Sequence, residues 1–383
     1  MGLDVELPAQ VRRWKDRMHR FVAEELMPLE PDLPPFANRL PAEDIAALVR
    51  RMKDAGLWAL AVPREFGGGG LGWVGLCALR EALGHTTLCS LGKLLGAEPP
   101  VLLYDAGEDL RARYLLPTIA GERYGCFALT EPEAGSDAAN LSLSAVPDGT
   151  GHYLLNGRKV FSSHADEADY ALVFGVVPQG PGQAGGITLF LVDRGTPGFH
   201  WVRRIETMGG DRPSELVFEN CRVPDANRLG ATGKAFDLAQ RWFACDRIAL
   251  QPPIALGAAA RSLALAQAAG VAPALELGRL ALGLHAARAM LYHAAAKADR
   301  GEDVRHDASL VKATATSAAL EAVERAMAWF GPRGYSRALP LERYYRDLRR
   351  FPIAAGTYEI QQFVVARGLL RGYAGLDRMA APL

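Results

Sequence analysis

The chain has 383 residues, of which 49% are hydrophobic and 22% charged, and its 43 Lys+Arg balance 43 Asp+Glu. That length accommodates two or three domains with substantial cores. The balanced charge offers neither a basic stripe for nucleic acid nor an acidic disordered tail, and a neutral chain of this size is suited to association.

The five cysteines, Cys77, Cys89, Cys126, Cys221 and Cys245, form no C-x-x-C pair, so neither a disulfide framework nor a metal site is expected. The start, Met1-Gly2-Leu3-Asp4, lacks the charged and then apolar order of a signal peptide. Nothing approaches the roughly eighteen uninterrupted apolar residues of a membrane span, so the expected compartment is the cytoplasm.

The hydrophobic period changes twice. Apolar stripes at helical spacing run from Val11 to Met27 and from Ile45 to Leu57, so residues 1–120 predict an N-terminal helical domain. Within it, Gly67-Gly68-Gly69-Gly70 reads as a tight surface turn, because the Lys-Ser/Thr of a phosphate-binding loop is missing. Over residues 121–232 the apolar runs shorten. Strands are expected at 125–129, 152–155, 170–174 and 187–192. Turns are expected at Pro147-Asp148-Gly149 and Asn156-Gly157, with a flexible hairpin tip over 180–186. Together these make a small antiparallel β domain. Over 233–383 helical spacing returns, with long bundle helices expected around Leu263 and Leu265, at 280–298 and at 309–330, continuing to Tyr373. The expected class is multidomain α+β.

At the head of the β region stands Phe127-Ala128-Leu129-Thr130-Glu131-Pro132-Glu133-Ala134-Gly135-Ser136-Asp137, which is similar to the first signature of the acyl-CoA dehydrogenases. Leu155-Asn156-Gly157-Arg158-Lys159-Val160-Phe161-Ser162-Ser163 resembles that family's flavin-wall strand. Gly195-Thr196-Pro197-Gly198-Phe199 resembles a family turn, and residues 216–224 resemble the strand that leaves the β domain. Residues 343–347 and 356–361 resemble the last signature. A lone Thr-Glu-Pro would be weak. The ordered set, spanning nearly the whole chain, identifies it as resembling this family.

The resemblance implies an acyl-CoA dehydrogenase-like fold: an N-terminal all-α domain, a middle antiparallel β domain and a C-terminal helical bundle. It also implies FAD as cofactor. The implied reaction desaturates an acyl thioester, and needs a base for the α-proton and a hydride acceptor for the β-hydrogen. By the same resemblance, Phe127, Leu129 and Thr130 line the flavin ring through main chain and hydroxyl, with Gly135 in the same signature. Phe161 stands where the family usually has tryptophan, with Ser162 beside it, and Ser163 stands where a threonine hydroxyl approaches N5. Ser136 falls at the flavin–substrate junction, and Gly356, Thr357 and Glu359 fall in the turn that holds the cofactor's phosphate end. Taken singly, each has a plain alternative as a strand end, a core aromatic or a turn.

Three departures stand out. The family's usual base is the glutamate of a Tyr-Glu-Gly-Thr turn, but here the stretch reads Ile353-Ala354-Ala355-Gly356-Thr357. Ala355 cannot accept a proton, although its N–H survives as a donor to the thioester carbonyl. Ala354, in place of a bulky aromatic, opens space beside the acyl chain. The family's Arg-x-x-Phe-Gly loop is deleted, so residues 266–273 run straight into the next helix. The Gln-x-x-Gly-Gly-x-Gly motif reads Ala328-Trp329-Phe330-Gly331-Pro332-Arg333-Gly334, with Ala328 and Pro332 at the changed positions. The last two losses fall on the surface that a subunit offers to its partner's adenine and pyrophosphate.

Asp246, immediately before Arg247, matches the alternative base position of members with bulky or branched substrates, though an aspartate is one methylene shorter than the expected glutamate. Its plain readings are a helix-surface carboxylate or a salt bridge to Arg247. His164 is more naturally a turn residue than a base. Three functional readings follow. The first is an FAD-dependent dehydrogenase with Asp246 as base and Ser136, Arg247 and Ala355 at the substrate. The second is one subunit of a heteromeric dehydrogenase whose other chain supplies the missing groups. The third is a non-redox thioester-binding protein on the same fold. The implied partners are an acyl-CoA or acyl-carrier-protein thioester, electron-transfer flavoprotein or oxygen as acceptor, and a homo- or hetero-oligomer, without nucleic acid or membrane.

Overall fold

The structure, a computed structural model, describes residues 6–34, 40–90, 99–180 and 184–371. The expectations for Met1–Asp4, for the centre of the hairpin tip at 181–183, and for helix beyond residue 371 lie outside the described residues. In chain order come α1 (Ala9–Phe21), α2 (Ala42–Asp54), α3 (Gly72–Leu83), α4 (Glu108–Leu110) and α5 (Leu116–Ala120). Eight strands follow: β1 (Gly125–Ala128), β2 (Ser144–Pro147), β3 (His152–Ser163), β4 (Tyr170–Val177), β5 (Gly186–Asp193), β6 (Phe199–Arg204), β7 (Pro213–Pro224) and β8 (Arg228–Leu229). Then come α6 (Ala235–Cys245), a π-turn (Asp246–Leu250), α7 (Gln251–Ala268), α8 (Ala274–Asp299), α9 (Arg305–Trp329), α10 (Pro332–Tyr335), α11 (Leu341–Leu348) and α12 (Tyr358–Leu370).

The chain forms two compact units. One draws on Met1–Gly96, Met208–Gly210 and Phe243–Leu383, the other on Ala97–Thr207 and Asp211–Trp242. In the first unit, α1 buries Val11, Met18 and Phe21, the stripe that its spacing predicts. Acidic Glu43 and Asp44 open α2 while Arg51 and Lys53 close it, which suits the helix dipole. Alanines on α7, α8 and α9, including Ala258, Ala295 and Ala315, are fully buried and let the helices approach closely. α3 and α7 approach closely at Gly84 and Gly257. A β-carbon on Gly257 would overlap the Glu81 carbonyl oxygen, and one on Gly84 would overlap that of Ile254.

The helical run Ala235–Ala268 is long and apolar enough to cross a membrane by length and composition, which the sequence reading did not anticipate. Its apolar window is 72% buried within the protein, as in a core helix.

The second unit carries the sheet, ordered β6-β7-β3-β2-β4-β5-β8, with β1 also pairing β4. Antiparallel pairing predominates, while β1 and β2 each run parallel to β4. The expected turn at Asn156-Gly157 is corrected: both residues lie inside β3, and the register against β7 slips between Leu155 and Gly157. The glycine is needed for a close approach, since a β-carbon there would lie 2.9 Å from Leu143 Cα. Leu155, Ala171, Val173, Phe190, Leu216 and Phe218 fill the core of this unit.

One buried carboxylate ties the N-terminal helices to the bundle. Glu81 on α3 accepts from Lys15 of α1 at 2.9 Å, and from Arg288 and Tyr292 of α8 at 2.6 and 2.7 Å. Burial raises its pKa, but Arg288, Lys15 and the Tyr292 hydroxyl more than offset this and hold it at about 2. Because the folded value lies below the ordinary 4.5, the stabilisation is fully present above that pH and is lost as pH falls towards 2. It amounts to about 3 kcal/mol. We therefore expect Glu81→Gln to lower stability at neutral pH and to flatten its decline in acid, as measured by urea unfolding between pH 2 and pH 7. An acid limb as steep as the parent's would remove Glu81 from this role.

Candidate active site

In the β unit, the residues after β1 are clamped from beneath. The Lys159 ammonium, fully buried on β3, donates to Leu129 O at 3.0 Å and to Glu131 Oε1 at 2.7 Å. Glu131, also buried, further accepts from Leu143 N and from the N–H and hydroxyl of Ser142. Val160 N donates to Thr130 O at 2.9 Å. The turn carrying Thr130 is thus held by a paired and hydrogen-bonded ion pair, which is what a buried charge requires. Burial pushes the Lys159 ammonium down to about 8 against the pull of Glu131.

Farther along β3 the register against β7 slips again, between Lys159 and Ser162. There Phe161 takes a left-handed backbone (φ 55°) and its ring is 58% exposed. An exposed aromatic in a strained conformation at a bulge suggests a ligand-facing role. Ser162 is buried, and its hydroxyl has no hydrogen-bond partner among the described residues. Ser163 donates to Asp211 Oδ2 at 3.4 Å. His164 lies in a turn with φ 57°.

The Phe127 ring stacks on Trp242, with centroids 4.1 Å apart, and its backbone pairs with Leu172 of β4. Gly135 and Ser136 are exposed. A clamped polar turn, an exposed aromatic ring and an unsatisfied buried hydroxyl fit a planar heteroaromatic cofactor such as flavin.

In the helical unit, the π-turn follows from two prolines. Pro252 and Pro253 have no N–H, so the carbonyls of Ile248 and Ala249, four residues earlier, lose their α-helical donors. Two groups on α3 reach them: Cys77 Sγ donates to Ile248 O at 3.8 Å and Arg80 to Ala249 O at 2.6 Å. Asp246, at the head of the turn, is 5% exposed, and its Oδ2 accepts from Gln251 Nε2 at 2.6 Å. It is not a surface carboxylate. Arg247 donates to Ala355 O at 3.0 Å and lies over the Phe243 ring, 5.0 Å from its centroid. Burial raises the Asp246 pKa, opposed by the charges of Lys312, Arg350, Arg247 and Arg80.

The turn after α11 is held by its carbonyls. Ala355 is left-handed (φ 55°) and so is Gly356 (φ 90°). The buried Lys312 of α9 donates to the carbonyls of Ala354 and Gly356, Arg247 to that of Ala355, and Gln361 to that of Gly356 at 2.8 Å. Burial lowers the Lys312 ammonium to about 8. A β-carbon at Gly356 would lie 2.8 Å from Gln361 Nε2 and 2.9 Å from the Arg247 guanidinium. Thr357 caps α12, accepting from Ile360 N at 3.3 Å, and Glu359 is exposed in the first turn.

The expected site residues therefore gather in two sets, each within one unit. Phe127, Leu129, Thr130, Gly135, Ser136, Phe161, Ser162 and Ser163 belong to the β unit. Asp246, Arg247, Ala355, Gly356, Thr357 and Glu359 belong to the helical unit. Sequence reasoning missed Lys159, Gln251, Lys312 and Gln361. Two signals were available: a lysine among Ala308, Val311, Ala315 and Ala319 on one apolar helix face, and a Gln-Pro-Pro inside a helical pattern.

Models of the acyl-CoA dehydrogenase N-terminal, middle and C-terminal domains match residues 8–122, 126–221 and 266–370. An acyl-CoA dehydrogenase of Bacillus subtilis is 33% identical, over 85% of this chain and 90% of its own length. The 3-(aryl)acrylate reductase of Clostridium sporogenes is 32% identical, over 89% and 95%. Human mitochondrial short-chain specific acyl-CoA dehydrogenase is 32% identical, over 96% and 92%. The solved butyryl-CoA dehydrogenase of Megasphaera elsdenii superposes with a TM-score of 0.85 at 28% identity, covering 96% of this chain and 100% of that one. An FAD complex of PigA superposes at 0.83 with 26% identity, covering 97% and 100%.

The anchoring role of Lys312 is open to a direct check. We expect Lys312→Met to leave two carbonyls of the 354–356 turn without their charged donor, lowering stability by roughly 2 kcal/mol. Denaturant unfolding measures this, and an unchanged midpoint would mean that the turn keeps its shape without Lys312.

Proposed function

The chain belongs to the acyl-CoA dehydrogenase family, and on that premise we propose that Asp246 replaces the family's usual base in the α,β-dehydrogenation of an acyl-CoA thioester. It is a flavin oxidoreductase with FAD as its cofactor. When bound, FAD supplies the acceptor for the hydride that leaves the β-carbon.

The observation that carries this reading is the buried Asp246 carboxylate, hydrogen-bonded by a neutral amide. Two of the cations whose charge acts on it, Lys312 and Arg247, also bind the carbonyls of the Ala355 turn. Asp246 takes the α-proton: burial raises its affinity for a proton, and those cations oppose that rise. The Ala355 N–H, fixed in direction by the carbonyl anchors on either side of it, donates to the thioester oxygen. Thr130 and Ser163 offer hydroxyls to the flavin beside Phe161 and Ser162, Ser136 stands at the junction with substrate, and Gly356, Thr357 and Glu359 hold the phosphate end. The small side chains of Ala354 and Ala355 leave room for a bulky or branched acyl group.

CoA is favoured over a carrier protein by relatives that are acyl-CoA dehydrogenases, and electron-transfer flavoprotein over oxygen by a similar chain solved in work on the electron transferring flavoprotein of Acidaminococcus fermentans (30% identity, TM-score 0.85). We place the protein in the cytoplasm, with domains at 1–120, 121–232 and 233–383. A second reading, one subunit of a heteromeric dehydrogenase, is favoured by the short α7–α8 connection and by exposed Ala328 and Pro332.

A general base contributes roughly 10²–10⁴ in rate. Asp246→Asn is expected to slow flavin reduction by an acyl-CoA by about that factor, with flavin content unchanged, in stopped-flow absorbance. Reduction as fast as the parent's would make Asp246 structural and move the base to another chain. The pair Thr130→Ala and Ser163→Ala is expected to weaken flavin retention or shift the flavin spectrum. Unchanged content and spectrum would remove both hydroxyls from the cofactor site.

A further inference from the structure

The π-turn does more than turn Asp246 inward. In an α-helix at 3.6 residues per turn, positions five apart point roughly 140° away from each other. Asp246 and Gln251 are such a pair. In a π-turn the backbone hydrogen bond spans i to i+5, and the same two positions come onto one face. The Gln251 amide therefore meets the Asp246 carboxylate because of the extra residue in the turn, and the prolines at 252 and 253 maintain that turn.

Gln251 is itself only 5% exposed, and its Oε1 has no hydrogen-bond partner among the described residues. A buried amide with one oxygen unsatisfied is costly unless a second state uses it. The charged groups acting on Asp246 come from each neighbouring element: Arg80 on α3, Lys312 on α9, Arg350 after α11, and Arg247 beside it. Lys312 and Arg247 donate to the 354–356 turn and Arg80 to Ala249, while Gln251 donates to the carboxylate itself.

We infer that Gln251 is the positioning residue for Asp246, donating through Nε2 to the carboxylate and, with its amide turned over, accepting through Oε1 from the protonated acid. This rests on the reading of Asp246 as base. The proton that Asp246 takes from the substrate α-carbon stays on the carboxyl, and the amide only reorients. The Asp246 side chain thus keeps its aim in both states, which a fixed cation could not provide.

The test uses the full-length, FAD-loaded protein. Infrared difference spectra across pH follow the C=O band of a protonated carboxyl, assigned to Asp246 by its loss in Asp246→Asn. In Gln251→Leu, and in Gln251→Met should the first fold poorly, the titration midpoint is expected to rise by roughly half to one pH unit, because the lost bond to the charged form is stronger than the lost bond from the protonated acid. The acid limb of the pH profile for flavin reduction should move with it. Gln251→Glu, which adds a like charge, should raise the midpoint further. A midpoint unmoved in both apolar variants, or no band that depends on Asp246, would overturn the inference. If Asp246→Asn reduces flavin at the parental rate while the midpoint still moves, the base reading fails and the positioning contact stands.

Discussion

A proline cannot donate the hydrogen bond that closes an α-helical turn, and Pro252 and Pro253 withhold two in succession. The helix meets that loss by widening, and the carbonyls it frees are taken up by Cys77 and Arg80 on α3. Those two side chains can reach because α3 and α7 touch backbone to backbone at Gly84 and Gly257. The consequence for chemistry is the placing of a carboxylate, Asp246, inside the helical unit rather than on its surface.

A second constraint is electrostatic. One buried carboxylate sits among the charges of Arg80, Arg247, Lys312 and Arg350, a surplus of cations that would be unfavourable if they had no other ligands. Lys312 and Arg247 spend their hydrogen bonds on three successive carbonyls, those of Ala354, Ala355 and Gly356. The left-handed conformation of Ala355 costs about 1–2 kcal/mol for a residue with a β-carbon, and these contacts offset it. The 354–356 turn is therefore held through its carbonyls, without any contribution from the side chain of Ala355. In the β unit the same logic recurs, with the buried Lys159–Glu131 pair holding the Thr130 turn.

The order helical, β, helical was legible because periods of 3.6 and 2 residues differ plainly, and β4 and β5 read as nearly continuous apolar runs. The motifs likewise pointed to the residues around Thr130 and Phe161. What was hidden depends on contacts distant in sequence. Asn156-Gly157 has the composition of a hairpin turn, yet Gly157 is there to admit Leu143. The parallel pairing of β1 and β2 with β4 arises from segments that no local pattern links. Lys312 went unnoticed because the carbonyls it binds lie more than forty residues away. The Asp246–Gln251 contact exists only in a π-turn, whose register is set by α3 as well as by the prolines.

The role proposed for Asp246 is to exchange a proton with the substrate's α-carbon, a step that can be observed apart from electron transfer. The direct measurement is the incorporation of solvent deuterium at the α position of an acyl-CoA during incubation with the FAD-loaded enzyme, followed by mass spectrometry. The parent should introduce deuterium there, and Asp246→Asn should not, although it still binds the thioester. Deuterium appearing at the same rate in the variant would contradict the account and place the base elsewhere.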